Sequence, residues 1–312
     1  MRKSICLVIT IMIFTACMTQ AKVVEDRKSS DKTTEADEWF KKAYEAKDPN
    51  EKMECYKQAI AINPNHPVAH FALANVYNGK EMLDEAIAEY KKAIAMDPNH
   101  FWAHNNLGIA YSKKGMLDEA ILKYKDAITV NPKGASAYCN LGLVYKDKGM
   151  LSEAISVIKK AVLINSKNPM VRYNLGTVYV EKGILDEAIY EFRRAIEINP
   201  GLVRAHYDLG LTYGKKGMVD KAIAEFKKVI ADSPNYADAH NSLALEYLKK
   251  GLNPLAADHL YKAGLLYLEK GDRDSALKAY EALKQTESKE QEKALAEKLY
   301  PELKQEKSKP LK

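Results

Sequence analysis

The sequence predicts an all-α protein, a solenoid of antiparallel helix pairs, and three observations carry that reading. The first is a period. Leu107, Gly108, Tyr111, Ala120, Tyr124, Ala127 and Pro132 return 34 residues later as Leu141, Gly142, Tyr145, Ala154, Ile158, Ala161 and Ser166. They return again as Leu175, Gly176, Tyr179, Ala188, Phe192, Ala195 and Pro200, and then as Leu209, Gly210, Tyr213, Ala222, Phe226, Val229 and Pro234. One step back gives Leu73, Ala74, Tyr77, Ala86, Tyr90, Ala93 and Pro98. The second observation is helical spacing in two segments per unit, Leu107 to Tyr111 and then Ala120, Ile121, Tyr124, Ala127 and Ile128, because apolar residues three and four apart share one helix face. The third is punctuation. Lys-Gly at 114–115, 148–149, 182–183, 216–217 and 250–251 ends the first segment, since glycine takes the left-handed conformation cheaply. Proline after Asn131, Asn199 or Asp97 stops the second.

The chain begins with basic Met1-Arg2-Lys3, an apolar run from Ile5 to Phe14, and Thr15-Ala16-Cys17. These read as the charged, apolar and small-residue regions of a secretory signal peptide over 1–16, too short to span a bilayer as a mature helix. Phe14-Thr15-Ala16-Cys17 resembles the lipobox of bacterial lipoproteins, with Phe14 in place of the usual leucine. That resemblance implies lipidation of Cys17 and an outer-membrane lipoprotein facing the periplasm, tethered to the membrane by its N-terminal lipid. An ordinary signal peptide cut near Ala16 or Ala21, releasing a secreted or periplasmic soluble protein, is the alternative. Residues 17–34 are polar and are expected to form a flexible tether.

The solenoid is expected over 35–285. Residues 33–66 make a degenerate first unit, with Trp39, Tyr56, Ala59 and Pro64 in phase and Lys52 where a small alanine belongs. Units then start at 67, 101, 135, 169 and 203, and a sixth at 237 keeps Leu243, Ala244, Tyr247, Ala256 and Ala263. This large/small/aromatic/alanine/proline pattern resembles the tetratricopeptide repeat family, which implies a right-handed superhelix with an inner wall built from the first helix of each unit. Past 250 the register shifts: Ala263, Gly264, Tyr267, Gly271, Ala276 and Tyr280 form another unit too early, so one helix serves two roles or a helix is lost. Residues 286–312 mix charges around Leu295 and Leu299, as a capping helix and tail would.

The resemblance places the second, fifth, sixth, ninth, twelfth and thirteenth positions of each unit on the concave groove. The sixth position holds Asn106, Asn140, Asn174 and Asp208, the fifth Phe71, Asn105, Tyr173 and Tyr207, the second Trp102, and the ninth Asn75. Three successive asparagines resemble the asparagine ladder of the O-GlcNAc transferase repeats, and an amide can both donate to and accept from an extended partner's backbone. Asn-Leu-Gly as plain repeat consensus, and fifth-position aromatics as packing between repeats, are the competing readings. No Lys or Arg stands at the fifth position, which disfavours the two-carboxylate clamp used by chaperone-binding members.

Apolar residues at 46% and charged residues at 29% fit a helical array. A net charge of +6 from 48 basic and 42 acidic residues is too mild and spread for nucleic acid, which calls for a basic stripe with stacking aromatics. His66 and His70, like His100 and His104, are four apart, a spacing that can present two ligands on one helix face. Each pair straddles a Pro-Asn-His junction, so packing is expected, not a metal. Cys55 and Cys139 stand two and a half repeats apart, with helices stacking at about 8–10 Å per step, beyond the roughly 7 Å Cα limit of a disulfide. No phosphate loop, HExxH or GxSxG occurs. The expectation is a non-enzymatic scaffold without cofactor that binds a protein partner in its groove during envelope, secretion or pilus assembly. A self-associating module forming a homo-oligomer is the alternative.

Overall fold

The computed structural model describes residues 34–300. The leader, Cys17, most of the tether and residues 301–312 lie outside that range. All regular structure among the described residues is helical: α1 over 34–45, α2 (Pro49–Ile62), α3 (Pro67–Gly79), α4 (Leu83–Met96), α5 (Phe101–Lys113), α6 (Leu117–Val130), α7 (Ala135–Asp147), α8 (Leu151–Ile164), α9 (Pro169–Glu181), α10 (Leu185–Ile198), α11 (Val203–Lys215), α12 (Val219–Asp232), α13 (Ala237–Lys249), α14 (Asn253–Glu269), α15 (Arg273–Lys284) and α16 (Lys289–Leu299). None of these is long and apolar enough to cross a membrane. The chain divides into two compact units, with the boundary after Val144, and each is described by itself.

Local chemistry sets the helix ends. Pro49, Pro67 and Pro169 open their helices, where a missing N–H costs nothing. The Nδ1 atoms of His66 and His100 accept from the N–H groups of Ala69 and Ala103, 3.1 Å away in both cases. Both residues are therefore N-caps outside the helix, using the ring nitrogen as a serine cap uses its oxygen. At the other end Gly115, Gly149, Gly183, Gly217 and Gly251 adopt φ between 70° and 79°. Glu81 fills the equivalent turn at φ 60°, a conformation that costs a side-chain-bearing residue about 1–2 kcal/mol.

Within a pair, an aromatic ring lies on bare backbone. A Cβ on Gly108 would come within 2.7 Å of the Tyr124 ring, and one on Gly176 or Gly210 within 2.6 or 2.7 Å of Phe192 or Phe226. All three rings are buried. In the first pair Phe40 occupies this small-residue position and meets Tyr56 ring to ring at 5.4 Å.

Between pairs within each unit, a turn lysine reaches back to the opening of the previous second helix. Lys114 bonds Asp84 in the first unit, and Lys182, Lys216 and Lys250 bond Ser152, Asp186 and Asp220 in the second. The recurrent acids thus complete turn contacts. Such exposed pairs contribute about 0–1 kcal/mol each, so apolar burial carries the stack.

The 17-residue helix α14 packs on α13, α15 and α16. Leu295 of α16 fills the space above Gly264, where a Cβ would lie 2.6 Å away. Leu295 and Leu299 are fully buried, while Lys289, Glu290, Lys293 and Lys298 face out.

Replacing Gly176 by Leu is expected to cost roughly 1–3 kcal/mol in urea unfolding through overpacking. Adding Phe192→Ala to that variant should return part of the loss, because the two changes act on one space.

Candidate functional site

The first helices of the repeats (α3, α5 and α7 in the first unit, α9, α11 and α13 in the second) carry the sequence-predicted groove residues. In the first unit the amides form a connected chain. Asn140 Nδ2 donates to Asn105 Oδ1 at 3.1 Å, Asn105 Nδ2 to Asn106 Oδ1 at 3.1 Å, and Asn106 Nδ2 to Asn75 Oδ1 at 2.9 Å. The hydroxyl of Tyr90, buried and with its pKa raised by that burial, donates to the same Asn75 oxygen at 2.6 Å. The NH2 groups of Asn140, Asn105 and Asn106 each use one of two hydrogens in the chain, and Asn75 takes part through its oxygen. Asn75, Asn106 and Asn140 are half-buried and keep hydrogen-bonding capacity on their exposed side.

Asn105 is different. It is only 2% exposed, so its assignment to the partner-facing wall is corrected: its amide is spent linking Asn106 to Asn140. The fifth and sixth positions recur as this linkage in the second unit. Tyr173 Oη donates to Asp208 Oδ2 at 2.7 Å, and Tyr207 Oη and Ser242 Oγ are 3.3 Å apart. Desolvation raises the Asp208 pKa, opposed by the Tyr173 bond and then by Arg204 and Lys215.

Fifth-position aromatics also pack. Phe71 lies against Tyr90 and His100, Tyr173 against Phe192, and Tyr207 against Phe226 and Tyr236. These rings are half-buried against aromatic residues of their own repeats. The second position is open: Trp102 is 53% and Val68 46% exposed in the first unit, and Met170 is exposed in the second. In the second unit, Thr177, Val180, Asp208, Leu211 and Lys215 line a cleft of about 180 Å³. Leu211 and Leu245 at the ninth position are exposed there. Asn174 also has an interaction of its own.

The histidines hold the repeats together. At the fourth position His70, His104 and His206 bond through Nε2 to the carbonyls of Pro64, Pro98 and Pro200, at 3.0, 2.9 and 3.1 Å. Arg172 does the same to Ser166. Their other nitrogens meet an acid 19 residues on: His70 with Glu89, Arg172 with Glu191 and His206 with Glu225. Glu89 raises the His70 pKa through their hydrogen bond against the lowering effect of burial. His104 lacks such a partner, because Lys123 stands at that position and draws Asp126, whose carboxylate stays 3.7 Å from His104 Nδ1. That nitrogen is buried without a hydrogen bond. These clamps escaped the sequence reading, since an acid 19 residues away on a charged helix looks like surface.

Paired helices repeated at one period, with a partly open polar wall on the first helices, define a class of repeat protein that mediates protein–protein interaction. Profiles described as TPR repeat match residues 80–115, 111–149, 177–217 and 215–251, and others described as tetratricopeptide repeat match 55–88, 135–168 and 260–288. The chain belongs to the tetratricopeptide repeat family. No curated protein matches it. Among solved structures, MamA is 32% identical with a TM-score of 0.51, over 53% of this chain and 96% of that one. YrrB, a TPR protein with an unusual peptide-binding site, is 29% identical with a TM-score of 0.52, over 62% and 97%. The APC/C hetero-tetramer Cut9–Hcn1, at 23% identity and a TM-score of 0.60 over 77% of this chain and 46% of that one, shares the fold.

Lys123→Glu is expected to complete the His104 clamp and stabilise the chain by about 1 kcal/mol in urea unfolding, the scale of one satisfied buried group. Zinc or a chelator should leave the melting temperature unchanged, because His66 and His70 use both ring nitrogens within the fold, and in the second pair His100 Nδ1 caps α5 while His104 Nε2 is bound to the Pro98 carbonyl.

Proposed function

We propose that the protein is a non-catalytic scaffold that holds an extended segment of a protein partner along its first-helix wall, while a lipid on Cys17 tethers it to an envelope membrane. The observation that carries the reading is the amide chain of Asn140, Asn105, Asn106 and Asn75. It fixes three half-buried amides in register by internal bonds, so they meet a partner's backbone with little rotamer freedom left to lose. Exposed Val68 and Trp102 beside it offer apolar surface of the kind that anchors interfaces. YrrB, whose structure is described by its peptide-binding site, supports peptide binding on this fold. The lipobox-like Phe14-Thr15-Ala16-Cys17 supports the tether, and with it a role in assembling envelope, secretion or pilus complexes. Self-association through the C-terminal end of the array fits less well, because α16 covers that end with its charged side outward.

A crosslinking pull-down from native envelope membranes tests this. Changing Asn106, Asn140 and Asn174 together to Ala is expected to lose one dominant partner while helical circular dichroism is unchanged. An identical partner list would place binding elsewhere. Cys17→Ser should move the protein out of the membrane fraction, and retention there would remove the lipid from the account.

A further inference from the structure

The fourth-position clamp changes chemistry at the C-terminal end of the second unit. His240 on α13 bonds the Pro234 carbonyl through Nε2 at 3.0 Å, as its counterparts do. The residue 19 positions on, however, is His259 of α14. The two Nδ1 atoms are 2.8 Å apart, with ring centroids 5.1 Å apart.

Proton accounting fixes what this contact can bear. A carbonyl only accepts, so His240 Nε2 carries a hydrogen. Neutral His240 then offers a lone pair at Nδ1, and His259 must supply the Nδ1–H between the rings. One added proton goes to His259 Nε2 and leaves the bond intact. A second has only His240 Nδ1 to occupy, where two N–H groups would face each other between two cations.

The surrounding charges relieve this only in part. Lys262 on α14 acts on His240, while Lys227 on α12 and Asp258 on α14 act on His259. Asp258 also accepts from Gln291 of α16 at 2.6 Å, and Tyr247 of α13 stacks on the His259 ring. Burial lowers both imidazoles below the ordinary value, helped by Lys262 at His240 and by the His240 charge and Lys227 at His259. The Pro234 carbonyl and Asp258 pull the other way.

We propose that the His240–His259 contact is an acid-sensitive joint that holds α13 to α14 at neutral pH and releases the C-terminal closure of the second unit on acidification. α14 carries α15 and α16, so loosening its seat on α13 loosens the cap. The stabilisation is present above the unfolded histidine value of about 6.5 and is lost as pH falls from there through the lowered folded values. His70 with Glu89 behaves oppositely. Its raised pKa makes that clamp complete below the ordinary histidine value, down to the range where Glu89 protonates, and weaker as pH rises through the folded value. Acid therefore tightens a clamp in the first unit while opening the joint in the second.

The test is an NMR titration of the histidine rings in the full chain, with amide hydrogen exchange and thermal unfolding between about pH 7.5 and about pH 5. Both rings of the pair should titrate below the ordinary histidine value, and exchange in α13 and α14 should rise on acidification. His259→Glu, which restores the acid found in earlier repeats, should abolish the acid-induced fall in melting temperature relative to wild type. Rings titrating at or above the ordinary value, or wild type and His259→Glu moving in parallel with pH, would overturn the proposal. Should that variant fail to fold, the wild-type titration decides by itself.

Discussion

A ring laid on bare helix backbone sets the geometry on which the rest of the structure depends. Gly108, Gly176 and Gly210 leave room for Tyr124, Phe192 and Phe226 at distances a Cβ would block. The ring thereby fixes how closely two helices of a pair approach. Fully burying such a side chain contributes about 1.5–3 kcal/mol, and the contact recurs at Gly108, Gly176 and Gly210, with Ile158 filling the equivalent place in α8, so stability accumulates by repetition. Turn lysines and N-caps then refine ends that this packing has already placed.

Close, regular pairing is what lets polar groups 35 residues apart meet. Asn105 with Asn140, Tyr173 with Asp208 and Tyr207 with Ser242 are the same linkage in different chemistry. In the first unit it is amide to amide, giving neutral groups that suit a partner's backbone. In the second it is phenol to carboxylate or hydroxyl, beside a cleft with Leu211 and Val180. At His70, His104, His206 and His240 a clamp from the fourth position to the preceding proline carbonyl ties a repeat to the one before it, and Arg172 bonds the Ser166 carbonyl instead. The clamp's partner nitrogen meets an acid at His70, Arg172 and His206, and another imidazole at His240.

The period, the turn glycines and the helix pairs were legible because each depends on residue type at a fixed spacing. A glycine that must reach positive φ, or a small residue that must admit a ring, leaves a recurring letter at a fixed spacing, with Glu81 and Phe40 as departures. The groove was only half legible. Asn105 and Asn106 are adjacent and identical in type, yet one is buried and the other half-buried, a difference made by helix rotation against the next repeat. The aromatic fifth position was open between ligand wall and packing, and its half-buried rings do make packing contacts with Tyr90, Phe192 and Phe226. Phe40 stands where later repeats have glycine or alanine, a departure the sequence reading passed over, and its pair accommodates a second ring beside Tyr56.

The central claim is that ordered amides on the first helices meet an extended partner. The most direct measurement is NMR of backbone and side-chain N–H groups while a segment of the captured partner is titrated into the protein. The account expects the Asn75, Asn106 and Asn140 amides and the Trp102 indole to shift together. Shifts confined to second-helix residues such as Lys91, Lys125 and Arg193, or to α16, would contradict it.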